Sequence, residues 1–140
     1  MGLLSKNPKK LIGELYRWHK VTSLPNIDLS LLANKVTSTV SGSVLCHVII
    51  AKWLKKSGNR LKDSPQTLQR CSQTAASVAK KTVELLSAEL ENTFKTQYPF
   101  SVKTKSCFIC HAGASSMKSN STGKMNCITC HTDLSGVHAK

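Results

Sequence analysis

The chain has 140 residues, of which 40% are hydrophobic and only 5% aromatic, and its 20 lysine and arginine residues against 7 acidic ones give a formal net charge of +13. This length fits one domain with an appended segment and argues against a two-domain enzyme. The composition is globular rather than disordered, but large core side chains are scarce. A bound apolar cofactor would supply the missing core.

Two shorter segments have the hydrophobic periodicity of amphipathic helices. One helix is expected over about Pro8 to Lys20, before Pro25. Another is expected over Ser43 to Lys56, with Gly58 as its stop, although Val48 to Ile50 is also compatible with a strand.

The most regular helical pattern runs from Ser64 to about Lys95. Ser64 is a suitable N-cap and Pro65 a suitable first helical residue. Apolar positions at intervals of three and four predict one buried stripe, made of Leu68, Cys71, Ala75, Val78, Thr82, Leu85 or Leu86, Leu90 and Phe94. A short helix capped by Asn26 or Asp28 is expected to carry Leu29, Leu31, Leu32 and Val36. The sequence thus predicts an all-α fold in which the long helix packs across the Ser43 to Lys56 helix.

The composition changes after Pro99. The segment from Ser101 to Lys140 contains a single leucine and is dominated by Ser, Thr, Lys, Gly and Cys, so it cannot form an apolar core of its own. We therefore divide the chain into three parts: residues 1–24 as an N-terminal amphipathic helix and candidate oligomerisation element, 25–100 as a helical core, and 101–140 as a segment organised by what it binds.

That C-terminal segment contains the sequence C-x-x-C-H twice, at Cys107 to His111 and at Cys127 to His131. This sequence is the attachment signature of c-type haem. Two thiols three residues apart add to the vinyl groups of one porphyrin, and the histidine that follows reaches the iron as its proximal ligand. We expect two haem c groups, attached through Cys107, Cys110, Cys127 and Cys130 and ligated proximally by His111 and His131.

The structural alternative is a zinc ribbon. The 16 residues between Cys110 and Cys127 fall within the spacing of four-thiolate zinc sites. A zinc site of this kind would not use the histidines that follow both cysteine pairs, so the pattern favours haem. Under the zinc alternative the chain would be a basic binding module for nucleic acid or for a protein assembly.

Each haem iron also needs a distal ligand, for which the remaining candidates are His47, His19, His138, Met117 and Met125. His47 is preferred because it lies on an apolar helix with Ile50 and Leu54 on its side. His19, at the end of the first helix, is second, and His138, near a terminus, is third.

Two cysteines lie outside the haem motifs, Cys46 and Cys71, on the two helices with strong periodicity. They could form a disulfide that joins these helices, which requires an oxidising compartment. They could equally be two buried free thiols.

The positive charge predicts a docking face for an acidic redox protein, with a solvated face as the alternative. Nucleic-acid binding is not expected, because aromatic residues are not interleaved with the basic ones. The longest uncharged stretch, Val36 to Ala51, is shorter than the roughly 18 residues of a membrane span. No secretory signal is visible at the start of the chain, yet c-type haem predicts a periplasmic or extracellular location.

Several features together resemble the split-Soret cytochrome c family. They are Ser43-Val-Leu-Cys46-His47, Trp53, Arg70-Cys71, the Val83-Glu-Leu-Leu helix, both C-x-x-C-H motifs and Gly123-Lys-Met125. The resemblance covers roughly Thr39 to Thr132. The chain would correspond to the C-terminal, haem-bearing portion of the family, with a different helix, Pro8 to Lys20, in front and without the family's N-terminal region rich in Cys and Gly.

Membership of this family implies a homodimer in which the two haems of each subunit stack closely. It also implies bis-His ligation, with at least one ligand crossing between subunits. Two hexacoordinate irons leave no open site for a substrate, so we expect an electron carrier rather than an enzyme. A five-coordinate iron would reopen the enzymatic alternative.

Overall fold

The computed structural model describes residues 8–27 and 36–111, excluding the side chains of residues 108–111. Within these ranges the chain forms four α-helices and one small sheet, so the predicted all-α class is confirmed apart from two short strands. The elements are α1 (Pro8–Val21), β1 (Ser23–Leu24), β2 (Thr39–Val40), α2 (Cys46–Ser57), α3 (Pro65–Leu90) and α4 (Val102–His111).

The two strands hold the end of α1 against the segment that leads into α2. Ser23 pairs with Val40 and Leu24 with Thr39 in antiparallel register. Just after β2, the backbone N–H of Gly42 donates to the carbonyl of Lys20 at 2.9 Å. Gly42 has a φ of 67°, a conformation that glycine adopts without strain. The predicted short helix after Asn26 falls on residues 28–35, outside the described residues, and Val36 belongs to no helix.

Helix α2 confirms the predicted helix and excludes a strand at Val48 to Ile50. It begins at Cys46, three residues later than predicted, because the preceding Ser41 to Ser43 turn is closed by its own hydroxyl bonds. It ends at Ser57, where Gly58 adopts a left-handed conformation with φ 73°. Its buried Trp53 donates from Nε1 to the carbonyl of Thr37 at 2.9 Å.

Helix α3 starts as predicted and ends earlier. The hydroxyl of Ser64 accepts a hydrogen bond from the backbone N–H of Thr67 at 3.3 Å, and Pro65 is the first helical residue. The helix stops at Leu90 rather than near Lys95, because the backbone N–H groups of Thr93 and Phe94 both turn back to the carbonyl of Ala88.

The buried face of α3 is not the predicted apolar stripe, so that prediction was wrong. Leu68, in the predicted stripe, is 64% exposed, while its neighbour Thr67 is 1% exposed. The buried side chains of α3 are Thr67, Arg70, Gln73, Thr74, Ser77 and Leu85. Several of these hydroxyl groups form hydrogen bonds within the molecule, which makes their burial feasible. Ser77, for example, donates to the carbonyl of Gln73 at 2.9 Å.

The helix that packs most extensively on α3 is α1 rather than the predicted Ser43 to Lys56 helix. The buried apolar side chains of the described residues are few: Leu11, Trp18, Leu24, Ile49, Trp53 and Leu85. Within this part of the chain the core is therefore thin, and polar interactions between α1 and the rest of the molecule supply much of its cohesion.

Candidate functional site

The first C-x-x-C-H motif lies at the C-terminal end of α4. The helical backbone continues from Val102 through His111 and includes the whole motif. Because helical positions three and four apart share a face, the backbone brings positions 107, 110 and 111 to one side of the helix. The thiol of Cys107 is half-buried and donates to the carbonyl of Lys103 at 3.3 Å. The composition of this segment predicts little regular structure, yet the helix spans the whole motif and the five residues before it.

The start of α4 is fixed by Ser101. Its hydroxyl accepts a hydrogen bond from the backbone N–H of Thr104 at 3.2 Å and bonds the Thr104 hydroxyl at 3.0 Å. Thr104 is fully buried. This cap gives α4 a definite first turn, five residues before Cys107, in a segment whose composition alone predicted little regular structure.

A buried ion pair on α1 anchors the chain just before α4. Glu14 is 1% exposed and accepts backbone hydrogen bonds from Gln97 at 2.6 Å and Tyr98 at 3.0 Å, while its second oxygen accepts from Arg17 at 3.0 Å. Arg17 also donates to the carbonyl of Tyr98 and stacks 4.2 Å from the centre of the Phe100 ring. We refer to this group, Glu14, Arg17, Gln97, Tyr98 and Phe100, as the α1 clamp. It holds the approach to the first haem motif against α1.

His19 is half-buried beside the turn before α2. It lies close to the backbone of Ser43 and interacts with it, and its Nδ1 is buried without a hydrogen-bond partner among the described residues. Burial lowers the pKa of His19 from its ordinary value, and the nearby Arg70 guanidinium lowers the pKa further, while the bond to Ser43 opposes the shift.

Arg70, on α3, is a buried charged residue that the sequence pattern did not identify. It is 2% exposed, and its Nε has no hydrogen-bond partner among the described residues. Burial lowers the pKa of Arg70. The thiol groups of Cys71 and Cys46 oppose this shift, and the Cys71 thiol also forms a hydrogen bond with the guanidinium group. Arg70 therefore joins α1, α2 and α3 at one point. Sequence periodicity missed it because it lies one position before a residue of the predicted stripe.

Cys46 and Cys71 are both free cysteines. Cys46 is exposed at the first position of α2 and Cys71 is half-buried, so neither is a fully buried thiol. Both interact with the Arg70 guanidinium, which places them on the same side of the molecule, between α2 and α3.

His47 follows Cys46 in the first turn of α2 and is exposed. Its position differs from that of His19, which is half-buried beside Ser43. The structure does not bring His19 or His47 together with other metal-binding side chains: the described residues contain no group of three or more His, Cys, Asp or Glu able to hold a metal ion. The remaining predicted site residues lie outside the described side chains: Cys110, His111, Met117, Met125, Cys127, Cys130, His131 and His138.

The side of α3 turned away from α1 is apolar and exposed. Leu68 and Val83 are 64% and 62% exposed, and Leu86 and Leu90 are 42% and 54% exposed. Together with the exposed Ala75 and Ala79 they recur at helical spacing along one face. We refer to these six residues as the outer apolar face. Among the described residues, no helix is both long enough and apolar enough to cross a membrane.

No family model matches the chain. Split-Soret cytochrome c from Desulfovibrio desulfuricans (strain ATCC 27774) is 29% identical to it over 142 aligned positions, which cover 96% of this chain and 50% of the relative. A solved structure of that bacterium's protein, described as showing a novel iron centre in the split-Soret cytochrome c, superposes with a TM-score of 0.71 at 26% identity. The superposition covers 94% of this chain and 56% of the solved one.

The similarity extends further than the resemblance from Thr39 to Thr132. Since the alignment covers 96% of the chain, α1 belongs to it, and the expectation of a different helix in front was wrong. The chain spans about half the length of the curated relative that it matches. From the aligned sequence and the shared fold we conclude that the chain is a homologue of split-Soret cytochrome c.

Proposed function

We propose that the chain is a dihaem c-type cytochrome that transfers electrons. The observation that carries the proposal is a C-x-x-C-H motif at the end of a capped and anchored helix, in a homologue of a cytochrome c. The second motif, Cys127 to His131, supports a second haem.

The described residues fit a large apolar cofactor with acidic substituents. The outer apolar face leaves hydrophobic surface exposed that a porphyrin or a second protein surface would cover. Arg70 is a buried cation whose Nε lacks a partner, as expected beside a bound carboxylate. The helical backbone at 107–111 has the spacing that thioether attachment needs.

Haem c, when bound, would supply a redox-active iron in each of two sites. The chain would hold the two groups through the thiols of Cys107, Cys110, Cys127 and Cys130. His111 and His131 would be the proximal ligands. The α1 clamp would fix the position of the chain just before α4, the helix that carries the first motif.

For the distal positions, the exposure of His47 supports it as the first candidate. His19 ranks second, because it is half-buried and interacts with the backbone of Ser43. His138 remains the third candidate. With two bis-His irons there is no open position for a substrate, so we assign the chain as an electron carrier rather than an enzyme.

A homodimer is the assembly that we favour. The outer apolar face lies opposite the surface that packs on α1, and a second subunit would remove it from water together with exposed haem edges. Its length, from Leu68 to Leu90, is about 33 Å at 1.5 Å per residue, which is enough for a helical interface.

The redox partner that we propose is an acidic protein. Exposed basic side chains cluster around the C-terminal end of α2 and the loop after it: Lys52, Lys55, Lys56 and Lys62. Such a cluster would steer an acidic protein towards the molecule. Covalent haem attachment would place the chain in the periplasm or outside the cell.

The optical spectrum of the purified protein tests the assignment. The chain should be produced in the periplasm of a host that matures c-type cytochromes. We expect a haem Soret band, sharp α and β bands after reduction, and no change on addition of carbon monoxide. A colourless, zinc-containing protein would support the zinc-ribbon alternative, which the homology does not favour, and binding of carbon monoxide would show a five-coordinate iron.

A further inference from the structure

Arg70 is a buried cation to which the described part of the chain offers no carboxylate. The ion pairs among described residues join Arg17 to Glu14, Lys62 to Asp63 and Lys81 to Glu84, and none includes Arg70. The thiol of Cys71 bonds the guanidinium group instead, and Cys46 and His19 lie near enough to interact with its charge. Burying a cation without an anion is costly, so a counter-charge is expected to reach Arg70 from elsewhere.

The acidic residues of the chain can be considered one by one, because it has only 7. Glu14 is committed to the α1 clamp, and Asp63 is 85% exposed beside Lys62. Glu84, Glu89 and Glu91 lie further along or beyond α3; Glu89, for example, is about 28 Å from position 70 along the axis. The other side-chain candidates are Asp28 and Asp133, both outside the described residues.

A haem group would bring two carboxylates of its own. Both candidate distal ligands among the described residues lie near Arg70: the charge of Arg70 acts on His19, and His47 follows Cys46, which interacts with the same charge. A porphyrin ligated from either position would bring its carboxylates into the neighbourhood of Arg70.

We propose that the guanidinium group of Arg70 binds a haem propionate. This inference rests on the proposed haem attachment and adds to it a carboxylate-binding residue that neither haem motif contains. The planar fork of arginine can donate two parallel hydrogen bonds to one carboxylate, which lysine cannot reproduce. Arg70 is a positioning residue: it would fix one edge of the ring and neutralise one of its charges.

The test compares Arg70→Gln with Arg60→Gln in the haem-loaded protein. Arg60 is exposed, so its replacement removes the same charge from a solvated position. In Arg70→Gln we expect the propionate bending band in the resonance Raman spectrum to shift and the reduction potential of one haem to fall, because a cation near the ring disfavours the ferric form. The freed propionate should also make that potential more dependent on pH. Arg60→Gln should leave the band and both potentials unchanged.

Two further sets of variants keep the proposal open to refutation. Should Arg70→Gln not fold, Arg70→Lys retains the charge and should still shift the band, with a smaller change in potential. Asp28→Asn and Asp133→Asn should leave the band and both potentials unchanged; a rise of one potential in either variant would show that an aspartate is the partner of Arg70, and the proposal would be wrong. An unchanged propionate band in folded Arg70 variants that carry haem would also overturn it. Absence of haem from the wild-type protein would instead refute the proposed function, and the optical spectrum reports that separately.

Discussion

Glu14 and Gln97 lie 83 positions apart in the chain, yet the Glu14 carboxylate accepts the Gln97 backbone N–H at 2.6 Å. The same carboxylate binds Arg17 at 3.0 Å, and both side chains are almost completely buried. A buried charged pair of this kind stabilises a structure only where its hydrogen bonds are complete, and here one carboxylate serves two backbone donors and one guanidinium group. The α1 clamp is therefore the connection through which the first helix positions α4 and the first C-x-x-C-H motif.

Glu14→Gln should destabilise the protein by about 1–3 kcal/mol, because the Arg17 cation stays buried without its partner and two backbone donors lose a charged acceptor. The free energy of unfolding from denaturant titration measures the effect. Asp63→Asn, at a position 85% exposed, removes the same charge and should leave stability unchanged. Equal stability of the two variants would mean that the clamp contributes nothing.

Ser64→Ala should cost about 1 kcal/mol, since its hydroxyl caps α3 and also accepts a bond from Asn59 at 2.7 Å. Ser87→Ala is the matched control, because Ser87 is exposed within the same helix. Thermal unfolding of both variants provides the comparison. A Ser64→Ala protein as stable as the control would show that the cap is not needed.

Loss of haem should unfold the segment from about Ser106 onward, because that part has too few apolar residues to stay ordered alone. Amide hydrogen exchange on haem-free protein should show protection retained in α1 and α3 and lost beyond Ser106. Protection of the later amides in that sample would contradict the prediction.

Leu86→Glu should shift the protein from dimer to monomer, because it places a charge in the outer apolar face. Ser87→Glu adds the same charge at the next position, outside that face, and should leave the dimer intact. Sedimentation velocity distinguishes the two states. If both variants sediment as the wild type does, the outer apolar face is not the interface.

His47→Ala should convert one low-spin iron per chain to high spin, and His47→Met should keep it low-spin while raising its potential. Electron paramagnetic resonance and redox titration give these readouts. His19→Ala is the comparison variant, and a spin change there with none in His47→Ala would reverse the order of the two candidates.

The helices were largely predictable from sequence, because their ends carry specific chemistry. Pro65 after Ser64 marks the start of α3, and Gly58 marks the end of α2. Strands β1 and β2 were missed, because two residues each are too few to show periodicity. Helix α4 was longer than expected, because its stability depends on the Ser101 cap and on the α1 clamp rather than on apolar pattern.

The orientation of α3 could not be predicted from hydrophobicity. The pattern selects Leu68 and its helical neighbours, but burial follows Thr67, Arg70 and Ser77. Hydrogen bonds to residues distant in sequence help to bury polar groups of α3; the Ser77 hydroxyl, for instance, accepts the backbone N–H of Asn26 at 3.1 Å. Of the stripe that the pattern identified, Leu85 is buried, whereas Leu68, Leu86 and Leu90 are exposed, which is consistent with a cofactor or a second subunit covering them. Thus the haem motifs were visible in sequence, whereas Glu14 and Arg70 became apparent only in the fold.

The intact mass of the denatured, purified protein tests the central claim most directly, because thioether-bound haem remains attached when the chain unfolds. The account predicts a mass equal to the polypeptide, 15.3 kDa, plus two haem groups. Substitution of Cys127 and Cys130 by alanine should remove one of the two. A polypeptide mass without added haem, from a host that matures c-type cytochromes, would contradict the account, and a single added haem would refute the dihaem assignment.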